Sequence, residues 1–232
     1  MSYSNSLPSW EKLSKEIIYK ELGDIRNKKI LDFGSGNGFT ANHFAKDNEV
    51  IAIEPNKDML IDAYKEHLYK QIIGDINDLK SFDDESFDLI ICHNVLEYID
   101  DKREVVNKLA RVLKKGGTLS IVKHNRVGRV MQMAVLLDDF ARANKLLDGK
   151  DDNALKFGTI KYYEDNDVLN WEPSLKMVDC FGVRTFFDLQ QNQEKHDDVG
   201  WQEQMINLEF RVSNIKEYRD IAFFHHLLFR KV

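Results

Sequence analysis

The residues richest in chemistry lie between Lys29 and Gly38, in the run KILDFGSGNG. Gly34, Gly36 and Gly38 alternate with Ser35 and Asn37, so the backbone can turn tightly and approach a ligand that a Cβ would exclude. A β-prone run before these glycines and a helix start after them make the opening of a nucleotide-binding βαβ unit. Asp32, two residues ahead of the first glycine, selects the nucleotide. A dinucleotide sets its pyrophosphate near such a turn, where a carboxylate repels it. S-adenosylmethionine has no phosphate; its ammonium and sulfonium both suit a carboxylate. The turn reads as a methyl-donor site.

Further polar groups follow in a consistent order. Glu54 closes the second expected strand, 22 residues after Asp32, where an acid meets ribose hydroxyls. Pro55 and Met59, in the segment after it, are counted with the donor site. Gly74 admits an adenine, Asp75 accepts from its exocyclic amine, and Ile76 covers its face. His93 and Asn94 end the fourth strand, across the topological switch point from the first. Each signal alone has a plainer reading: a solitary glycine turn is weak, strand-end acids cap helices, and His93 suits a core. Taken in this order they point to one pocket.

The elements that must hold these residues alternate between strand and helix. Apolar positions from Trp10 to Leu22 make a helix that Gly23 ends. A helix over Phe39–Lys46, a strand over Glu49–Glu54 and a helix over Lys57–Glu66 capped by Asn56 come next. A short strand over Leu68–Ile73 leads to a polar loop, Gly74–Ser86, and Phe87–His93 is a strand buried on both faces. Val105–Leu113 is a helix, with Lys114 and Lys115 facing its dipole, Gly116-Gly117 as its left-handed exit, and Thr118–Lys123 as the fifth strand. The alternation predicts a doubly wound α/β fold, a parallel sheet with helices on both faces. Later, Arg129–Leu147 reads as one amphipathic helix, Asp148–Lys156 as a polar stretch and Asp165–Trp171 as a short helix. β-prone runs at Met177–Cys180 and Val183–Phe187, a helix stripe from Trp201 to Val212 and an apolar run from Ile221 to Arg230 close the chain. Two terminal strands without room for a crossover predict an edge hairpin with one strand antiparallel.

With 232 residues, 33 basic and 39 acidic, the chain suits one mildly acidic domain, and wholesale phosphate-backbone binding is disfavoured. Cys92 and Cys180 sit in apolar runs and need no disulfide. Met1–Pro8 has no signal core, and no apolar stretch approaches a membrane span. A cytoplasmic location without membrane association is the expectation. His225 and His226 point to opposite sides of a terminal strand and lack further ligands, so no metal is expected.

Over almost the whole chain the pattern resembles the class I S-adenosylmethionine-dependent methyltransferases. Asp32-Phe33-Gly34-Ser35-Gly36-Asn37-Gly38 stands at that family's first motif, Glu54 at its ribose acid, Gly74-Asp75 at its adenine loop, and Lys114-Lys115-Gly116-Gly117 at its turn before the fifth strand. The resemblance implies a mostly parallel seven-stranded sheet with an antiparallel final strand. With no linker to split it, the chain reads as a single domain spanning 1–232, and residues 126–171 read as a helical cap inserted after the fifth strand, because an apolar-striped helix there must rest on something near that rim. More narrowly, His93–Tyr98, His124–Gly128 and Gly182–Asp188 resemble segments of the bacterial tRNA 5-carboxymethoxyuridine carboxyl methyltransferases. His124 differs from the aromatic residue that group has there.

Methyl transfer from a sulfonium is an in-line displacement that needs alignment above all. A carboxylate acceptor is anionic at neutral pH and needs cations to orient it, with no base. No acid occurs from Val105 to Leu137, while Lys123, Arg126 and Arg129 cluster after the fifth strand beside Asn125, and Arg184 joins them from the sixth. These residues read as substrate-binding, with Arg184 and His124 as the catalytic candidates. The plain alternative is a solvated helix face and a snorkelling lysine. The leading expectation is transfer to an anionic carboxyl acceptor, on a modified tRNA wobble uridine or a small molecule. A small-metabolite O- or N-methyltransferase would use His124 or His93 as a base. A donor-binding module without catalysis is disfavoured by the intact Asp32, Glu54 and glycine turn.

Overall fold

A computed structural model describes residues 7–61, 63–154 and 158–232. Residue 62 of the expected helix, residues 155 and 156 of the expected polar stretch, and the first six residues lie outside them. In chain order the elements are α1 (Ser9–Leu22), β1 (Lys29–Phe33), α2 (Phe39–Ala45), β2 (Glu49–Glu54), α3 (Lys57–Leu60) and β3 (Lys70–Ile73). Then come β4 (Phe87–His93), α4 (Lys102–Val112), β5 (Leu113–His124), α5 (Arg126–Val135), α6 (Phe140–Leu147), β6 (Asp152–Ala154) and β7 (Gly158–Ile160). The chain ends with α7 (Asp167–Trp171), β8 (Leu175–Val183), α8 (Gln193–His196), α9 (Val199–Val212), α10 (Lys216–Arg219) and β9 (Phe224–Lys231).

Two compact units share these elements. One comprises Ile25–Lys123, Tyr163–Asp179 and Leu227–Val232; the other comprises the chain up to Asp24, His124–Tyr162 and Cys180–His226. Seven strands form one sheet in the order β3-β2-β1-β4-β5-β9-β8, mostly parallel with an antiparallel strand, as predicted. The sheet's core is continuous and apolar. Ile30, Leu31, Ile53, Ile90, Ile91 and Cys92 are wholly buried, and each such aliphatic side chain contributes about 1.5–3 kcal/mol. No helix among the described residues is long and apolar enough to cross a membrane.

Several expectations are corrected, some by a tertiary contact and others by a local turn or cap. The helix after β2 stops at Leu60, although Asn56 caps it as predicted by accepting from Asp58 N at 3.0 Å. Tyr64 leaves the helical path because its N–H donates to Asn37 O at 2.8 Å and its ring stacks on Phe39. The loop after β3 contains a 3-10 turn over Ile76–Ser81, closed by a capping box from Asp75 and Asp78. Gly116 is not the helix exit: α4 ends at Val112, and Gly116 takes its left-handed φ of 74° inside the extended run of β5. Lys114 pairs with Asp88 at 3.0 Å rather than with the helix end.

The single helix expected over Arg129–Leu147 is two. Asp138 adopts φ 51° and Asp139 caps α6 by accepting from Arg142 N at 2.9 Å, so the chain folds back and buries Met133 with Ala143 and Leu146. The expected polar stretch includes one arm of an antiparallel hairpin, β6–β7. Strand β8 ends at Val183 instead of continuing to Phe187. It lies beside β9 as expected, but the connection runs through α8, α9 and α10 and is no tight hairpin.

Candidate functional site

In the sheet-bearing unit, β1 is flanked by β2 and β4, so the chain reverses its direction of winding at β1, and ligands of such sheets gather beyond the strands' carboxyl ends there. Asp32, Glu54, Gly74 and His93 lie at or just past the ends of β1, β2, β3 and β4. The glycine turn is pinned to β2: Gly34 and Ser35 both donate to Ile53 O, at 2.8 and 3.0 Å. Glu54 is 8% exposed and ties the turn to the start of α3, Oε2 accepting from Gly36 N and Oε1 from Asn56 N, each at 2.9 Å. Each oxygen keeps a second lone pair for a hydroxyl donor.

The turn is also sterically committed. Gly34 has φ 78°, and a Cβ there would overlap Val95 Cγ2. At Gly36 an added carbon would meet only the Met59 methyl, at 3.4 Å. Gly34→Ala is therefore expected to destabilise the protein by about 2–4 kcal/mol, combining backbone strain and overpacking, with Gly36→Ala clearly milder. Urea unfolding of the two variants checks this; equal midpoints would count against it.

Besides Glu54, two buried acids lie in this unit. Asp32 is 3% exposed, and Glu97, in a 3-10 turn after β4, is 1% exposed. The Cys92 thiol is pushed well up by burial first, then by the charges of Glu97 and Asp32. Burial followed by Asp32's charge likewise raises the Tyr69 hydroxyl. A cation is the complement of such a field. A glycine cradle beside the buried carboxylates of Asp32 and Glu54, with no lysine or arginine among the donor-site candidates, fits S-adenosylmethionine, and the same acids repel a diphosphate.

The remaining donor-site candidates are placed as follows. Pro55 is exposed and Met59 half-buried. Asp75 spends Oδ1 on Asn77 N at 2.7 Å, in the capping box, beside the half-buried Gly74 and Ile76. His93 Nε2 lies 2.7 Å from Ser120 Oγ, and Asn94 takes φ 54° with its N–H on Val122 O. Lys123, also in this unit, is 4% exposed, pairs with Asp165 at 2.9 Å and sits 4.8 Å from the Tyr163 ring centroid.

The other unit holds the remaining candidates. Asn125 uses its amide structurally: Nδ2 donates to Asp220 O and Ala222 O, while Oδ1 accepts from Val127 N to cap α5. Arg126 donates to Leu146 O and Lys150 O and covers the Tyr162 ring. Arg129 pairs with Asp152 at 2.8 Å and donates to Gln132. Asp152 also holds Arg142, and these hydrogen bonds keep its carboxyl below the usual range against the upward pull of burial. The His124 ring meets Phe223 and Phe224 edgewise.

Arg184 stands apart from the other three cations. It is 8% exposed and pairs with Asp188 through one terminal nitrogen, yet its buried Nε has no hydrogen-bond partner among the described residues. Its guanidinium lies 4.7 Å from the Phe223 centroid, 5.1 Å from Trp10 and 5.5 Å from Phe224. Such rings stabilise the charge without using its in-plane donors. Arg184 also adopts φ 64°, a conformation costing a non-glycine residue about 1–3 kcal/mol and held by the structure around it.

Glu97, Asp188 and Glu209 were not among the residues expected from the sequence. Glu209 had a signal: with Met205 and Val212 it falls on one stripe of α9, an acid among apolar neighbours.

Residues 31–121 match the family model described as a methyltransferase domain. The chain is 27% identical to the tRNA 5-carboxymethoxyuridine methyltransferase of Escherichia coli (strain K12), over 96% of this chain and 86% of the relative. It is 25% identical to the ubiquinone biosynthesis O-methyltransferase of Coxiella burnetii (strain RSA 493 / Nine Mile phase I), over 68% of each. Among solved structures, the S-adenosylmethionine dependent methyltransferase from Mesorhizobium loti shares the fold, with a TM-score of 0.59 at 14% identity over 98% of this chain and 99% of that one.

Proposed function

We propose that this S-adenosylmethionine-dependent methyltransferase esterifies a carboxylate, and that its acceptor is the carboxymethoxy group of a modified tRNA wobble uridine. The observation that carries the reading is Arg184, a buried cation with a vacant Nε–H donor and aromatic rings around its charge. The likeness to a tRNA 5-carboxymethoxyuridine methyltransferase, over 96% of this chain and 86% of the relative, supports it.

S-adenosylmethionine supplies an electrophilic methyl: the acceptor's carboxylate oxygen forms the new O–C bond as the C–S bond breaks, leaving a methyl ester and neutral S-adenosylhomocysteine. No proton moves, so no general base is required. In this reading Asp32 and Glu97 stabilise the cationic donor, Glu54 receives its ribose hydroxyls on the lone pairs the turn leaves over, and Gly34, Gly36 and Gly38 admit its close approach. Gly74, Asp75 and Ile76 border the adenine. Arg184 holds the acceptor's carboxylate, which is worth more in a water-poor setting than at an open surface. Residues 126–171 are read as the cap that selects the acceptor.

Nucleosides digested from tRNA of a strain lacking this gene are expected to miss a carboxymethoxyuridine methyl ester that the parent contains, and to regain it on complementation. Identical profiles would remove the tRNA acceptor. A second reading, a small-metabolite O-methyltransferase, is favoured by the His93–Ser120 hydrogen bond, which fixes one ring nitrogen of a titratable group at the end of β4. It predicts a rate that rises with pH through a histidine range, where ester formation stays flat.

A further inference from the structure

Arg184 is followed by three consecutive backbone amides that converge on one side chain. Thr185 N donates to Glu209 Oε2 at 2.8 Å, and Phe186 N and Phe187 N donate to Oε1 at 2.8 and 2.9 Å. Successive N–H groups aimed at one point make an anion nest, and here the anion is the protein's own. Glu209 lies on α9 and is fully buried. Burial raises its carboxyl, the three amides oppose that rise, and Asp188 adds to it.

We propose that Glu209 is a positioning residue: by holding the 185–187 amides it ends strand β8 at Val183, keeps Arg184 in its left-handed conformation and so aims the guanidinium at the acceptor. The inference rests on the reading of Arg184 as the acceptor's anchor. The other fastenings of this loop are weaker determinants of that direction. Arg184 O accepts one bond from Phe223 N at 3.1 Å, and Thr185 Oγ1 donates to Tyr218 O at 3.3 Å. Asp188 fixes the far end of the side chain and is itself held by Gln132 Nε2 at 3.1 Å. Only acceptors satisfy the nest, so a Glu209→Gln amide would turn two of its own hydrogens toward N–H groups and release part of the turn.

The test is a double-mutant cycle between Glu209→Gln and Arg184→Ala. Methyl transfer is measured from labelled S-adenosylmethionine to bulk tRNA of the deletion strain, with donor affinity measured separately by calorimetry. In the native background Glu209→Gln is expected to lower kcat/KM for tRNA 10- to 100-fold, mostly through KM, with donor affinity within twofold. In the Arg184→Ala background the same change is expected to cost less than twofold. Equal losses in the two backgrounds, or a parallel loss of donor affinity, would overturn the inference and leave Glu209 a general stabiliser.

A second readout does not depend on the acceptor. The buried Arg184 Nε–H is expected to give a protected nitrogen–proton NMR resonance, assigned by its loss in Arg184→Lys. Glu209→Gln is expected to collapse it into the exposed arginine signals; an unmoved resonance would refute positioning. Should Arg184→Ala transfer methyl normally, the acceptor reading fails, and the resonance alone decides whether Glu209 sets the arginine. If Glu209→Gln does not fold, Glu209→Asp, which keeps the charge and retracts it by one methylene, is subject to the same two measurements.

Discussion

Asp32→Ala removes most or all of the thermal stabilisation that S-adenosylmethionine gives the wild-type protein. Ligand at a hundredfold excess over its dissociation constant stabilises a native state by about 2.7 kcal/mol, or roughly 5–10 °C for a chain of this size. Asp32 is a carboxylate withdrawn almost wholly from water, 3% exposed, so its attraction for a sulfonium or ammonium is poorly screened. Losing one partner of such a desolvated charge pair costs about 2–5 kcal/mol, enough to remove most or all of the shift. Asp32→Asn keeps the shape and removes the charge, and is expected to lose most of the shift as well. A scan in which either variant is stabilised like the wild type would refute the electrostatic assignment. Stabilisation of the wild type by a nicotinamide dinucleotide instead of S-adenosylmethionine would refute the choice of ligand.

Arg184→Ala has the opposite signature. Donor stabilisation is expected to be unchanged, while kcat/KM for the carboxylate acceptor falls about 100- to 1,000-fold, the loss of a buried charge-assisted contact of roughly 3–4 kcal/mol. Arg184→Lys is expected to recover only a small part, because an ammonium cannot present the guanidinium's flat fork and lacks an Nε–H. Single-turnover transfer to tRNA alongside calorimetry of the donor separates the two sites. Full activity in Arg184→Ala would end the acceptor reading while leaving the donor site intact.

The first four strands and the turns between them were legible because their signals are local. A strand, a glycine turn and a strand-end acid are each written in adjacent residues, and β2 and β4 begin and end where the sequence places them. The chain becomes hard to read where distant residues decide. Nothing between Lys57 and Glu66 announces that Tyr64 will stack on Phe39, and nothing near Val183 announces a carboxylate from α9 waiting for the next amides. The partners of the basic cluster were hidden in the same way. Lys123 and Arg129 look available in sequence because their partners, Asp165 and Asp152, lie far along the chain. Arg184 differs only in the geometry of its surroundings, which spacing cannot convey.

Glu54 has a consequence of its own. The side chain that would greet the sugar already clasps the first bend with one oxygen, on Gly36 N, and holds Asn56 N with the other. A Glu54 variant is thus a slacker protein before it is a poorer binder, and its weakened grip on any nucleoside would be inherited from the scaffold. Architecture and affinity are soldered together at that carboxylate, so no substitution there can leave one untouched while altering the other.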